Sequence, residues 1–337
     1  MDPSAHRLGC SVAAGAGIAW QTVQPEATRI LVTHRRPLLI DTDPGVDDAW
    51  AILMAASAPQ VELVGLTVVG GNVGLDCTVR NACALVDLIG RPIPVHSGAA
   101  RPLVAQTEDA GHVHGRDGFG DVDLPRPATS PTATAAANAI VELAQRWEGQ
   151  LEIIALGPLT NLALALRLDP QLPQRVARLL VMGGAIDGPG NTTPFAEFNI
   201  GFDPEAAEVV FREWPTLELV DWVATLREAP PVGQIEQLLA GDSPKARFMH
   251  QISRCTAAFV AAKGAQNWAF ADPLAMLAML DPAQVVATSE GAIAVELVGE
   301  RRGETRLGPI DGERARSRIH QHFHQQALAR ALELALD

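Results

Sequence analysis

The chain has 337 residues, of which 47% are hydrophobic and 19% are charged, so it can bury a substantial core. Its formal net charge of −13 argues against binding to nucleic acid or to anionic membrane surfaces, and a small molecule is the expected partner. The four cysteines show no C-x-x-C spacing, which predicts neither a zinc site nor a disulfide framework. With no apolar run of the roughly 18 residues that a membrane span needs, we expect a cytoplasmic protein.

Apolar runs alternate with helical patterns from about residue 36 onward. This alternation predicts an α/β fold, with an open, mostly parallel central sheet and helices on both of its faces. Residues 1–35, with an apolar patch at 12–20, are expected to be an N-terminal extension, and residues 36–337 a single continuous domain. The predicted strands are 37–41, 61–69, 93–96, 151–156, 177–182, 217–220 and 292–298. The predicted helices are 47–58, 76–89, 132–146, 160–168, 204–213, 245–263, 272–280 and 320–335.

Four carboxylates crowd the junction of the first strand and the first helix, in the run Asp41-Thr42-Asp43-Pro44-Gly45-Val46-Asp47-Asp48. Pro44 suits the first position of a helix and Asp43 the cap before it. A capped helix start is therefore one interpretation of this run. Four negative charges so close together would, however, raise each other's pKa unless a cation lay among them, and all-oxygen ligands favour a hard divalent ion. Because open α/β sheets bind ligands at the carboxyl ends of their strands, we favour an active site.

Glycine-containing turns follow three other predicted strands, at Gly70-Gly71-Asn72, at Gly157-Pro158-Leu159-Thr160-Asn161 and at Gly183-Gly184. Each is an ordinary strand-to-helix turn when considered alone. Because parallel strands end at one edge of the sheet, we expect the three turns to meet beside the aspartates.

A polar segment follows, in which Asn191, Glu197 and Asn199 could present amides and a carboxylate to the hydroxyls of a sugar. The alternation of Glu197 and Asn199 with Phe198 and Ile200 predicts an extended segment whose polar side faces the cleft. A solvated loop is the alternative interpretation.

These motifs resemble the inosine-uridine preferring nucleoside hydrolase family, in the family's order and from about residue 36 to 282. The resemblance also includes His114-Gly115-Arg116-Asp117-Gly118-Phe119-Gly120, Met182-Gly183-Gly184 and Asp272-Pro273. It implies a nucleoside hydrolase-like domain with a Rossmann-like core, acting on a small ribonucleoside. It also implies a homodimer or a homotetramer.

The activity that the resemblance implies is calcium-dependent hydrolysis of an N-glycosidic bond, giving ribose and a free base. Asp43 matches the general base that activates a metal-bound water, and Asp41 supports the cluster from behind. His114 matches a histidine near the 5′-hydroxyl. The positions that match the calcium ligands are Asp43, Asp48, Asp272 and the main-chain carbonyl of Thr160. The positions that match the ribose-binding residues are Asp47, Asn72, Asn191, Glu197 and Asn199.

The chain departs from the family where many members have a histidine, and some a tryptophan, directly before the calcium-binding aspartate. Here the residue is Ala271, which can neither donate a proton nor stack on a base. Trp268 and Phe270 are candidates for stacking, with packing in the core as the alternative, and His250 is a candidate for a replacement acid. The chain has no tyrosine, so a phenol cannot serve this purpose.

Two other functions remain open at this level. A phosphatase of the haloacid-dehalogenase type also begins with Asp-x-Asp after a strand, but the Asp47-Asp48 pair and the Asn191–Asn199 segment favour a ribosidase. The second alternative is a catalytically weak nucleoside-binding homologue, against which the retention of every calcium and ribose position argues.

Overall fold

The computed structural model describes residues 35–104, 108–310, 314 and 316–337. The predicted N-terminal extension, with its apolar patch at 12–20, therefore lies outside the described residues except for Arg35. Within the described ranges, Cys77, Cys83 and Cys255 are free thiols, and no helix has the length and hydropathy needed to cross a membrane.

Nine strands form one sheet in the order β3-β2-β1-β4-β5-β6-β9-β7-β8. All pairings from β3 to β9 are parallel, whereas β7 pairs antiparallel with both β9 and β8. The prediction of an open, mostly parallel sheet is confirmed. The strands are β1 (Arg36–Thr42), β2 (Val61–Val68), β3 (Val95–Ser97), β4 (Leu151–Ala155), β5 (Val176–Met182), β6 (Thr216–Val220), β7 (Val285–Val295), β8 (Thr305–Gly308) and β9 (Arg316–Phe323).

Fourteen α-helices are present in the described ranges, several of them only one or two turns long. They are α1 (Val46–Ser57), α2 (Leu75–Ile89), α3 (Gly111–His114), α4 (Ala136–Arg146), α5 (Thr160–Leu168), α6 (Leu172–Arg175), α7 (Phe198–Phe202), α8 (Pro204–Glu213), α9 (Trp222–Arg227), α10 (Val232–Leu239), α11 (Pro244–Ile252), α12 (Arg254–Ala262), α13 (Ala271–Leu280) and α14 (Ala327–Leu336).

Two hydrophobic cores, one on each face of the sheet, confirm that helices cover both sides. Successive residues of a strand point to opposite faces. In β1, Leu38 and Ile40 accordingly pack into the core that contains α1, α13 and α14, and Leu39 packs into the core that contains α4, α5 and α8. All three side chains are fully buried.

The order of the strands reverses between β1 and β4. From β1 the chain moves outward to β2 and β3, and it then returns to the other side of β1 to form β4, β5 and β6. The loops that follow β1 and β4 therefore diverge and leave a crevice at the carboxyl ends of these two strands, which is the usual ligand position in such sheets.

The start of α1 differs from the prediction. The helix begins at Val46 with Gly45 as its cap, rather than at Pro44 with Asp43 as the cap. The carboxylate of Asp48 accepts a hydrogen bond from the Gly45 backbone N–H at 2.9 Å and so satisfies this end of the helix. Asp43 instead accepts a hydrogen bond from the Asn72 backbone N–H at 2.6 Å.

Several predicted boundaries were wrong. The helix predicted at 245–263 is two helices that meet at Ser253. His320, predicted to open the last helix, lies in β9 opposite Val220, and the helix begins only at Ala327. The late strand predicted at 292–298 is the longer β7, and β8 was not predicted. The helix predicted from residue 132 starts at Ala136.

Two arginines at the amino end of the sheet hold the last turn of α13. Arg178 donates hydrogen bonds to the carbonyl oxygens of Ala278 at 3.0 Å and Met279 at 2.9 Å. Arg36 donates to the Leu280 carbonyl at 3.1 Å. Positive charge is favourable at a helix C-terminus, where carbonyl groups lack partners within the helix.

Candidate active site

A cavity of about 410 Å³ lies above the crevice between β1 and β4. The described residues that line it come from the loops after the parallel strands, from the first turns of α1, α9 and α13, and from the helices α3, α7 and α12. Most of the predicted site residues line it together, namely Asp47, Asn72, His114, Asn191, Glu197, Asn199 and Asp272.

Three carboxylates converge at the base of this cavity. Asp47 and Asp48 lie in the first turn of α1 and Asp272 lies in the first turn of α13, and one oxygen from each lies within 4.8 Å of the others. Burial raises the pKa of Asp272 well above its ordinary value, and the charges of Asp47, Asp48 and Asp43 raise it further. Two helix N-termini supply partial positive charge only. The cluster is therefore a site of concentrated negative potential.

Asp43 lies beside this group of three but is not part of it. Its Oδ2 accepts the hydrogen bond from the Asn72 backbone, whereas its buried Oδ1 has no partner among the described residues. Burial and the charge of Asp48 raise the pKa of Asp43 well above its ordinary value. A buried carboxylate oxygen without a hydrogen bond is unfavourable, so this oxygen is available to an additional group.

Short contacts hold Asp48 in place. Thr42 donates from its hydroxyl to Oδ1 of Asp48 at 2.5 Å, and the Asn72 side-chain amide donates to Oδ2 at 3.1 Å. The same amide donates to the Asp43 backbone carbonyl at 3.1 Å. Asn72, predicted to bind ribose, thus also fixes the geometry of two aspartates.

Asp41 lies fully buried at the end of β1, and hydrogen bonds from strand β2 and helix α5 hold its carboxylate. Oδ1 accepts from the Thr67 hydroxyl at 2.7 Å and from the Asn161 amide at 2.8 Å. Burial raises its pKa to about 7 despite these hydrogen bonds. Asp41 does not line the cavity.

Two glycines allow the backbone to pass close to Asp43. A Cβ atom at either Gly71 or Gly157 would collide with the Asp43 carboxylate. These residues belong to two of the three turns that the sequence singles out at strand ends, and the structure brings both turns against the first aspartate loop. Any side chain at either position would displace Asp43.

His114 is a neutral imidazole at one side of the cavity. Its Nδ1 accepts a hydrogen bond from the Val46 backbone N–H at 3.2 Å, so the ring proton lies on Nε2, which is 3.9 Å from the Asp47 carboxylate. Burial lowers the pKa of His114 to about 4, against the opposing effect of Asp48. The histidine therefore offers an N–H donor on the side of Asp47.

Glu197 and Asn199 lie on the opposite wall, but the predicted extended segment was wrong beyond Glu197. Glu197 caps the short helix α7, and its carboxylate accepts backbone hydrogen bonds from Gly184, Asn199 and Ile200 at 2.8, 2.9 and 3.2 Å. Burial raises the pKa of Glu197 to about 7. The side-chain amide of Asn199 donates to the Leu156 carbonyl at 2.6 Å, which ties this wall to the end of β4. Asn191 is exposed at the rim.

Thr160 is the first residue of α5 and is buried beside the crevice. Its hydroxyl donates to Oδ2 of Asp203 at 2.6 Å, and the same oxygen accepts from the Leu103 backbone N–H at 2.9 Å. Asp203 also caps α8 by accepting from the Ala206 N–H. The sequence interpretation missed Asp203, although an aspartate directly before a proline and a helix is a recognisable cap.

The aromatic residues before Ala271 belong mainly to the core. Trp268 and Phe270 stack on each other with centroids 5.6 Å apart, and Phe270 meets Trp50 of α1 edge-on at 5.9 Å. Phe270 is only 1% exposed and does not line the cavity, whereas Trp268 is buried but contributes to its wall. Ala271 lines the cavity beside Asp272. His250 is exposed on α11 and lies outside the cavity lining, so it is not placed to act as the replacement acid.

Several lining residues were not anticipated from the sequence. Trp222, Phe259 and Lys263 contribute to the wall, as does His112, two residues before His114. The pair of histidines in one motif was visible in the sequence. The packing of α3 against α12 was not visible in the sequence. The two helices are joined by a hydrogen bond from the Thr256 hydroxyl to the Val113 carbonyl at 3.2 Å.

Comparisons with known proteins agree with this architecture. A probable uridine nucleosidase of Oryza sativa subsp. japonica is 36% identical over 275 residues, which are 81% of this chain and 85% of that protein. The inosine-uridine preferring nucleoside hydrolase of Crithidia fasciculata is 35% identical over 271 residues, which are 79% and 85% of the two chains. The solved structure of the plant nucleoside hydrolase PpNRh1 superposes with a TM-score of 0.85 at 30% identity, covering 89% of this chain and 98% of that one.

The family model described as inosine-uridine preferring nucleoside hydrolase matches residues 38–330, which include both core faces, the aspartate cluster and the opposite wall of the cavity. The protein is therefore a nucleoside hydrolase, and the chain belongs to the inosine-uridine preferring nucleoside hydrolase family.

Proposed function

We propose that this protein hydrolyses the N-glycosidic bond of ribonucleosides to ribose and free base, with calcium as its metal. The observation that carries the proposal is the presence, in one cavity at the β1/β4 crevice, of a carboxylate cluster on one side and amide and carboxylate groups on the other. Family membership removes the phosphatase alternative.

The donor set fits a hard divalent cation. All candidate donors are oxygens, the buried Oδ1 of Asp43 lacks a partner among the described residues, and burial and mutual repulsion raise the pKa of Asp272 well above its ordinary value. We propose Asp43, Asp48, Asp272 and the carbonyl of Thr160 as the ligands.

Asp47 belongs to the tight group of three carboxylates, yet we assign it to the ribose. Asp47 and Asp272 both line the cavity, but the side chain of Asp47 is 25% exposed whereas Asp272 is buried, so Asp47 is the more accessible of the two to a ligand. The Nε2–H of His114 lies on the same side, at 3.9 Å from Asp47, and we assign it to the 5′-hydroxyl.

Asp43 is proposed as the general base. A calcium ion, when bound, orients the attacking water and lowers its pKa. The buried Oδ1 of Asp43 has no partner among the described residues, and we assign the Asp43 carboxylate to accept a proton from this water. Cleavage of the bond develops positive charge on the ribose, and the surrounding carboxylates stabilise it.

Asn72, Asn191, Glu197 and Asn199 are proposed to bind the ribose hydroxyls together with Asp47. The side-chain nitrogens of Asn72 and Asn199 already donate to protein atoms, so their amide oxygens are the groups that we assign to ligand hydroxyls. Because these contacts are to the sugar, we expect them to serve every base equally.

The relatives differ in the substrates that their names carry, and they include uridine nucleosidases and a purine-preferring ribonucleoside hydrolase. We therefore propose a ribonucleoside substrate without assigning its base. A cytoplasmic location and assembly into a homodimer or homotetramer complete the proposal, and mass measurement of the native protein in solution tests the assembly.

A reducing-sugar assay on purine and pyrimidine ribonucleosides, with calcium or with a calcium chelator, tests the function. We expect ribose release from at least one ribonucleoside, complete loss of activity with the chelator and recovery with calcium. Tight nucleoside binding without ribose release would instead favour the nucleoside-binding alternative. Full activity in the chelator would contradict the role of the metal.

A further inference from the structure

The part of the cavity away from the carboxylates is mainly apolar. Its wall is formed by α12, by α3, by the start of α9 and by the residues before α13, with Phe259, Val260, Trp222 and Trp268 among the lining side chains. If ribose binds at the carboxylates and amides, the base must extend toward this wall. A flat, apolar base gains from burial there.

One full positive charge lies on this wall. Lys263 follows the end of α12 and lines the cavity, and its Nζ lies 4.2 Å from the centroid of the Phe259 ring. His112 of α3 packs against the same ring edge-on, with the ring centroids 5.8 Å apart. The cation–π contact orients the ammonium group over the Phe259 ring, at the exposed end of this wall. Lys263 is one of only two lysines in the chain.

The departing base needs such a group. Cleavage leaves the electron pair of the C–N bond on the base, and an anionic leaving group departs slowly unless a donor stabilises it. Ala271 offers no donor. Among the lining residues that the structure describes, His114 uses Nδ1 to accept from Val46 and directs Nε2 toward Asp47. The imidazole of His112 and the ammonium group of Lys263 also line the cavity, and an ammonium group presents three hydrogen-bond donors.

We propose that Lys263 is a catalytic residue that stabilises the departing base, replacing the donor that Ala271 cannot supply. The inference rests on the proposed ribonucleoside hydrolysis and assigns the leaving-group end of the same site. The C–N bond breaks and its electron pair stays on the base, where a carbonyl oxygen or ring nitrogen accepts a hydrogen bond from the Lys263 ammonium. The oxygen of water bonds to the ribose carbon, Asp43 takes the water's proton, and the base gains a proton from solvent.

Lys263→Met tests this role because methionine keeps an unbranched apolar side chain over Phe259 but removes the charge. We expect kcat/KM for the best natural ribonucleoside to fall about a hundredfold, mainly through kcat. Hydrolysis of a nitrophenyl riboside, whose leaving group is stable as an anion, should change less than about threefold. Lys263→Arg should recover at least about a tenth of the natural activity, because it restores a cationic donor.

Lys245→Met is the matched control. Lys245 is the other lysine of the chain, and it lies on α11, where its Nζ donates to the Ser57 hydroxyl at 3.2 Å. We expect its activity on both substrates to match the wild type. Circular dichroism and the melting temperature of each variant establish that it is folded.

Equal losses on the natural nucleoside and on the nitrophenyl riboside would overturn the proposal, because Lys263 would then serve binding or folding. An unchanged Lys263→Met variant would also overturn it, and a selective loss in His112→Ala would then assign the role to the histidine. A wild type that released ribose from no ribonucleoside but hydrolysed the nitrophenyl riboside would contradict the proposed natural substrate before the role of Lys263 came into question. The two failures are thus distinguishable.

Discussion

Asp272→Asn tests whether the three cavity carboxylates are assembled for a cation. Their oxygens lie within 4.8 Å, and at that distance two ionised carboxylates repel by about 3.5 kcal/mol with an effective dielectric constant of about 20. Asp272 takes part in two of the three pairs, so its full ionisation would cost about 7 kcal/mol. Proton uptake relieves most of this repulsion, in agreement with the pKa of Asp272, which burial and the neighbouring aspartates raise.

We take about 1–2 kcal/mol as the repulsion that remains at neutral pH. Asparagine keeps the shape of the side chain and removes the charge, so the calcium-free variant should melt about 1.5–3 °C above the calcium-free wild type. The order should reverse with calcium. At a hundredfold excess over its Kd, calcium stabilises the wild type by about 2.7 kcal/mol, whereas the variant should gain little.

Differential scanning fluorimetry at pH 7, in chelator and across a calcium titration, measures both effects. Asp242→Asn is the control, since Asp242 is exposed and remote from the cavity, and its curves should follow the wild type. A calcium-free Asp272→Asn protein that melts below the wild type would refute the electrostatic reasoning. A variant that keeps the full calcium response would refute the ligand assignment.

Three further predictions follow from other parts of the structure. Asn199→Ala should lower kcat/KM about 5- to 150-fold for every ribonucleoside alike, and 2′-deoxyribonucleosides should be poor wild-type substrates, because a lost hydrogen bond to a buried hydroxyl costs about 1–3 kcal/mol. An effect confined to some bases in steady-state kinetics would contradict the assignment to ribose. Burial raises the pKa of Glu218, but Arg178 and His320 outweigh it and lower the value to about 2 from 4.5. The carboxylate therefore stabilises the fold above pH 4.5, and this contribution is lost as the pH falls from 4.5 toward 2. Urea denaturation at pH 7 and pH 3 should show a smaller acid-induced loss in Glu218→Gln, and equal losses would contradict the prediction. Ala271→His, introduced into Lys263→Met, should raise inosine hydrolysis relative to the nitrophenyl riboside by about tenfold or more, since it supplies a donor beside Asp272 that Lys263→Met lacks. An unchanged ratio in a folded, calcium-binding double variant would show that position 271 does not reach the leaving group.

The sequence predicted the centre of the fold and the place of the site because both depend on local signals. Uninterrupted apolar runs such as Leu38–Ile40 are typical of strands buried on two faces, and polar residues directly after several such runs must meet at one edge of a parallel sheet. The acidic run Asp41–Asp48 and the Gly157–Asn161 turn could therefore be placed together from the sequence alone.

The errors lie where a distant partner decides the structure. The sequence predicts that His320 is part of a helix. In the structure its Nε2 lies 2.6 Å from the Glu218 carboxylate, and the residue pairs in the sheet with Val220. The sequence predicts that Glu197 is one residue of an extended segment. Its carboxylate instead accepts hydrogen bonds from three backbone N–H groups and caps α7. Lys263 carries no local signal, because only the packing of α12 against α3 makes it part of the cavity.

The arginine contacts at the C-terminus of α13 connect the amino ends of the strands to the cavity at their carboxyl ends. A ten-residue helix is about 15 Å long, with Asp272 in its first turn and the guanidinium groups of Arg36 and Arg178 on its last carbonyls. Each arginine is itself anchored by a carboxylate on a neighbouring strand, Arg36 by Glu152 and Arg178 by Glu218. The two arginines thereby join the last turn of α13 to strands β1, β4, β5 and β6. We expect a substitution at either arginine to shift Asp272 in the cavity while leaving every cavity residue intact.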